Sequence, residues 1–105
     1  MKEVTDKNFE QEILNSEVPV LIEFWASWCV PCKTMEYLLK ELDKEYDGKI
    51  KIAKLNIDRQ RKTPKKYILT GVPTFITFSE GNLKEMVVGA QTKKKLILMI
   101  EKLLK

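Results

Sequence analysis

Val20-Leu21-Ile22-Glu23-Phe24-Trp25 leads, through Ala26-Ser27, into Trp28-Cys29-Val30-Pro31-Cys32-Lys33. The first six residues are a near-continuous apolar run, the pattern of a central strand covered on both faces. Behind the thiol pair, Met35, Leu38, Leu39 and Leu42 repeat at helical spacing and Tyr46 extends the row, giving an amphipathic helix over Thr34 to Tyr46. The thiols therefore fall at a strand-to-helix turn, with Cys29 at or just before the first helical turn. Unpaired backbone N–H groups and the positive end of the helix dipole meet there. Both favour a thiolate, the nucleophile of disulfide exchange.

Cys29 and Cys32 are the only cysteines, and the chain has no histidine. A structural zinc site wants four Cys or His ligands, so zinc would require a dimer. Redox chemistry is the simpler reading of a Cys-x-x-Cys pair at this position. The lack of histidine also excludes protease chemistry that uses a His base. Cys29, at the exposed turn, is the expected attacking thiolate, and Cys32, one turn inside the helix, the resolving thiol. Glu23 is a single carboxylate inside the apolar strand. Burial raises the proton affinity of such a group and suits it to exchange a proton with Cys32.

The 105 residues predict a single domain, 1–105, and 44% apolar content is enough for one ordinary core. No run approaches the roughly 18 apolar residues of a membrane helix. Met1-Lys2-Glu3-Val4 lacks the apolar segment of a secretory signal, so the expected location is the cytoplasm, without membrane contact. In that reducing compartment a vicinal thiol pair is catalytic or metal-binding rather than structural. Net charge is +4, from 19 basic and 15 acidic residues. Arg59, Arg61, Lys62, Lys65, Lys66 and the run Lys93 to Lys95 are basic clusters without interleaved aromatics, which reads as solvated surface rather than a nucleic-acid site.

The remaining elements follow from punctuation. Glu3-Val4 opens a short strand, and Thr5 or Asp6 caps a helix over Lys7 to Asn15. Glu36 and Lys40 are expected to pair at i, i+4 on the wet side of the long helix. Gly48 stops that helix, and Lys49 to Ile57 is the next strand. Thr63-Pro64 reads as an N-cap with an N1 proline, starting a short helix through Tyr67. Gly71-Val72-Pro73-Thr74 turns into strand Phe75 to Phe78, and Ser79-Glu80-Gly81-Asn82 is a hairpin turn into strand Leu83 to Val88. Thr92 caps a last helix in which Leu96, Ile100, Leu103 and Leu104 share a face. The order β-α-β-α-β-α-β-β-α predicts parallel strands from the crossovers and an antiparallel edge from the hairpin.

The segment Phe24 to Lys33 resembles the active-site segment of the thioredoxin family. Lys54-Leu55-Asn56-Ile57-Asp58, Gly71-Val72-Pro73-Thr74 and Val88-Gly89-Ala90 resemble further thioredoxin segments, in the same order. The resemblance implies an α/β thioredoxin fold, a five-stranded mixed sheet flanked by four helices. It implies a monomer that reduces protein disulfides and is recharged by a thioredoxin reductase, with no metal or organic cofactor. It places substrate contacts at Trp28, Val30, Pro31, Val72, Pro73 and Gly89, and sets Lys54 beside the buried acid as partner of Glu23. A cis Val72–Pro73 bond is expected, because X–Pro is the one linkage where cis costs little. Val30, Glu23 and Tyr37 depart from the family pattern, which has glycine, aspartate and proline there. A disulfide oxidase or isomerase and a redox-independent binding subunit are the rival readings. The apolar Val30 argues against the first, and a glutaredoxin is disfavoured by Val-Pro between the cysteines.

Overall fold

A computed structural model describes residues 1–105. Five strands, β1 (Lys2–Glu3), β2 (Val20–Trp25), β3 (Lys51–Asn56), β4 (Thr74–Ser79) and β5 (Asn82–Val88), form one sheet in the order β1-β3-β2-β4-β5. β1, β3 and β2 run parallel, while β4 is antiparallel to both β2 and β5. The mixed sheet expected from the crossovers and the hairpin is the one observed. Three α-helices, α1 (Val30–Glu45), α2 (Lys62–Lys66) and α3 (Lys93–Leu103), and a π-helical segment Glu10–Leu14 cover its faces. No helix is long and apolar enough to cross a membrane.

Alternation along β2 splits the core into two layers. Val20, Ile22 and Phe24 pack with Phe9, Ile13, Leu55 and Phe78 on the face that also carries Tyr67. The rings of Phe9, Tyr67 and Phe78 lie 5.7–5.8 Å apart and lock that layer. Leu21 points the other way, into Met35, Leu39 and Leu42 of α1 and Leu96, Met99 and Ile100 of α3. Each such buried side chain contributes roughly 1.5–3 kcal/mol of apolar transfer. Glu23 and Trp25 share Leu21's face, so the one carboxylate of the central strand is directed under α1.

Several expected boundaries and caps shift. α1 begins at Val30, with Cys29 itself as N-cap. Thr5 does cap the N-terminal turn, through a reciprocal pair with Asn8 (2.8 and 3.2 Å), but the regular segment there is only Glu10–Leu14. Thr63 is not an N-cap. It lies inside α2, and the cap is Asp6, whose carboxylate accepts from Lys62 N–H (3.1 Å), Thr63 N–H (2.8 Å) and Thr63 Oγ1 (2.7 Å). On α3, Thr92 Oγ1 accepts from Lys95 N–H at 3.1 Å as expected. There Met99 joins Leu96 and Ile100 in the core, whereas Leu104 is exposed. The hairpin turn holds Glu80 and Gly81 both at positive φ, 52° and 80°, as a tight two-residue turn between twisted strands requires.

Candidate active site

The end of β2 and the start of α1 build the site. Ala26 C=O accepts from Cys29 N–H at 3.1 Å, closing the turn. Cys29 then sits in extended backbone (φ −91°, ψ 107°) as the α1 N-cap, and its Sγ accepts from Cys32 N–H at 3.2 Å. Pro31 falls in the first turn, where a missing N–H costs nothing. Cys29 and Cys32 are joined as a disulfide with Cα atoms 5.3 Å apart. A sulfur that already receives a backbone N–H at a helix N-terminus has its negative charge stabilised there. Cys32, inside the helix, has no equivalent donor.

Exposure does not separate the two thiols, contrary to expectation. Cys29 is 4% exposed and Cys32 3%, because Trp25, Ile57 and Val72 pack round the disulfide and Ala26 closes it from the strand side. The asymmetry between the sulfurs is one of hydrogen bonding, not of access.

The positions expected to meet substrate gather into two groups. Trp28, Val30 and Pro31 are exposed at the head of α1. Trp28 is held there by its indole Nε1, which donates to Asp58 Oδ1 at 3.1 Å. Val72 and the buried Pro73 form the turn before β4, and the Val72–Pro73 bond is cis as expected. Gly89 N–H donates to Pro73 C=O at 2.7 Å, at a φ of +98° that favours glycine. Val72 itself makes no backbone hydrogen bond within the chain. Trp28 and Val72 line one groove of about 530 Å³ with Ile57, Pro64, Ile68 and Leu69, so one residue of each group faces a common space.

Glu23 is 1% exposed, and its Oε2 finds no hydrogen-bond donor in the protein. Desolvation, reinforced by the Glu36 and Glu3 carboxylates and opposed by Lys54, pushes its carboxyl up to about 8. An unpaired carboxylate in such a place takes up a proton rather than bear the cost of burying its charge. The expected ion pair with Lys54 is not formed. The residues are register partners across β2 and β3, but the Lys54 ammonium donates to Glu36 Oε1 and Oε2 (3.0 and 3.2 Å). It also lies 4.0 Å from Glu3 Oε1 and 5.0 Å from the centre of the Trp25 ring. Glu36 accordingly leaves Lys40, its expected i+4 partner.

Sequence reasoning missed Asp58, Ile57 and Glu36. Glu36 had a signal, since it stands four residues after Cys32 and so shares its helical face. Asp58 lay within a quoted segment, but nothing local ties it to Trp28. No group of three or more Cys, Asp or Glu is placed to hold a metal ion.

Residues 1–102 match the model of the Thioredoxin family. Relatives include the thioredoxin of Pseudomonas aeruginosa, 44% identical over 98 residues that cover 93% of this chain and 91% of that protein. The thioredoxin of Rickettsia bellii is 43% identical over 94 residues, 90% of each chain. Thioredoxin 1 of a Nostoc species is 42% identical over 100 residues, 95% of this chain and 94% of that one.

Proposed function

The chain belongs to the thioredoxin family, and from that premise we propose how it reduces protein disulfides. It is a thiol-disulfide oxidoreductase, and its Cys29–Cys32 pair is the redox couple. In our reading the Cys29 thiolate attacks a substrate disulfide and expels one substrate sulfur. A mixed disulfide then links Cys29 to the other. Cys32 gives its proton to ionised Glu23 and attacks Cys29 Sγ. The Cys29–substrate bond breaks, its electron pair leaves on the substrate sulfur, and the Cys29–Cys32 disulfide closes. A thioredoxin reductase restores the dithiol, and no metal or organic cofactor takes part. The chain acts as one domain, 1–105, a cytoplasmic monomer.

The observation that carries this reading is the hydrogen bond from Cys32 N–H to Cys29 Sγ at the head of α1. It singles out Cys29 as the sulfur on which charge rests most easily. Docking has separate support. The free N–H and C=O of Val72 offer an edge to which an extended substrate segment adds as a strand. Trp28, Val30 and Pro31 are exposed at the head of α1, and Val72, next to the Pro73 that Gly89 steadies, packs against the disulfide.

Single substitutions test the order of attack. Cys29→Ser abolishes reduction of a disulfide-bonded protein substrate. Cys32→Ser accumulates covalent substrate adducts that mass spectrometry locates at Cys29. Adducts located at Cys32 in Cys29→Ser, with full turnover retained, contradict the assignment. Loss of the cell's requirement for either thiol, shown by a functional double-serine protein, favours the binding-subunit alternative.

A further inference from the structure

We propose that Glu36 is a positioning residue: its carboxylate clamps the Lys54 ammonium against α1 and so withholds that cation from Glu23. The inference rests on Glu23 serving as the proton acceptor and donor for Cys32, and it adds what sets the proton affinity of that group.

The groups facing Glu23 come from three elements. β1 brings Glu3, β3 brings Lys54, and α1 brings Glu36. Further out, Glu36 lines a cavity of about 360 Å³ with Trp25, Cys32 and the exposed Lys33, Tyr37 and Lys40. β4 and α3 present Phe75, Leu96, Met99 and Ile100, which carry no charge. Lys54 is the cation of the neighbouring strand, opposite Glu23 in register. A lysine there would ordinarily turn to the buried carboxylate that has an unpaired oxygen. It turns away, because Glu36 accepts two hydrogen bonds from it and the face of the Trp25 ring lies 5.0 Å from its ammonium. The Lys54 and Glu36 side chains are 20% and 31% exposed, so solvent screens the pair less than it would a surface pair.

The clamp matters for the recharging direction of the cycle. A protonated Glu23 in the oxidised protein is a ready acid for recharging. When a donor thiolate attacks Cys29 Sγ, the Cys29–Cys32 bond breaks, and Cys32 Sγ takes the bonding pair and then the proton of Glu23. Were Lys54 to reach Glu23, that carboxyl would enter the oxidised state already ionised, with no proton to give.

Carbon-13 NMR of the Glu23 side chain, titrated in the oxidised protein, tests the clamp. Glu36→Ala frees Lys54, and the Glu23 midpoint falls by about one pH unit or more, an opposite charge within about 4–6 Å being worth about 1–3. Glu36→Gln keeps an acceptor for Lys54 and gives a smaller fall. In a Lys54→Met background the same Glu36→Ala change moves the midpoint much less, which separates the clamp from the loss of the Glu36 charge itself. An unchanged midpoint in folded Glu36→Ala, or an equal fall in both backgrounds, overturns the proposal. The pH–rate profile of mixed-disulfide resolution is read on the same proteins. A midpoint that falls while that profile stays put supports the clamp and removes Glu23 from the proton transfer.

Discussion

Glu23 carries a consequence for stability as well as for chemistry. Its carboxyl holds a proton up to about 8 in the folded chain, against an ordinary value of 4.5, with burial the leading cause. Between those values the folded chain binds more protons than the unfolded one, so folding weakens as pH rises. The contribution is complete below about pH 4.5 and is lost progressively to about pH 8, with a slope of at most about 1.4 kcal/mol per pH unit. Urea denaturation of the oxidised protein at steps from pH 4.5 to 8.5 should show this decline. Glu23→Leu, which fills the site with an apolar side chain, flattens it and is the more stable protein at pH 8. A Glu23→Leu curve parallel to wild type would contradict the burial argument. At this scale the sequence was most informative where chemistry is local. Two cysteines at one spacing, and one carboxylate amid Leu21, Ile22, Phe24 and Trp25, have few alternative meanings. The Lys54–Glu36 pair was illegible because strand register brings Lys54 beside Glu23 while a competing acceptor on a different element decides where its ammonium rests.

Elements were legible wherever an apolar stripe or a turn signal marks them, and less so where a tertiary contact does the capping. α2 is the example. Its local sequence, Thr63-Pro64, points to a Thr cap, yet Asp6, more than fifty residues earlier in the chain, takes that role. Burial acts to raise the Asp6 carboxyl, but hydrogen bonds from Thr63 and Lys62 outweigh it and hold it below its usual range. This sign is opposite to that of Glu23. The stabilisation is present above the ordinary aspartate value and disappears as pH falls through the depressed one. Asp6→Ala should cost about 0.5–2 kcal/mol near neutral pH, the usual range for a lost N-cap. The cost should shrink as pH falls below the ordinary aspartate value of 3.8, a comparison that thermal or urea unfolding supplies directly. Because α2 leads through Tyr67 and Leu69 to the Val72–Pro73 turn, hydrogen exchange in residues 62–72 should quicken in the same variant. Undisturbed exchange there would mean the core contacts of Tyr67 hold the segment without the cap.

For the molecule as a whole, β2 lies at the centre of the sheet and delivers three things to one place. Its end presents the disulfide at the head of α1, its α1-facing side buries Glu23, and its antiparallel neighbour β4 begins at the Pro73 turn that packs against the disulfide through Val72. That convergence follows from strand order, which the alternation of elements and the closing hairpin made readable. The small tilt of the balance toward reduction or oxidation is a different matter, since it depends on how strongly the dithiol form is stabilised. Here Val30 and Pro31 between the cysteines are exposed and apolar, and Cys29 Sγ receives one backbone N–H and no cation. That backbone donor and the helix terminus stabilise the thiolate less than an added neighbouring cation would, so the account predicts a reducing couple. Equilibrium titration of the Cys29–Cys32 pair against glutathione measures this directly. The account predicts a single two-electron transition, with the pair still mostly disulfide at a glutathione poise of about −240 mV, within the roughly −220 to −260 mV of a reducing cytosol. A pair already mostly dithiol at that poise, with its midpoint near or above about −180 mV, where disulfide isomerases operate, would contradict it.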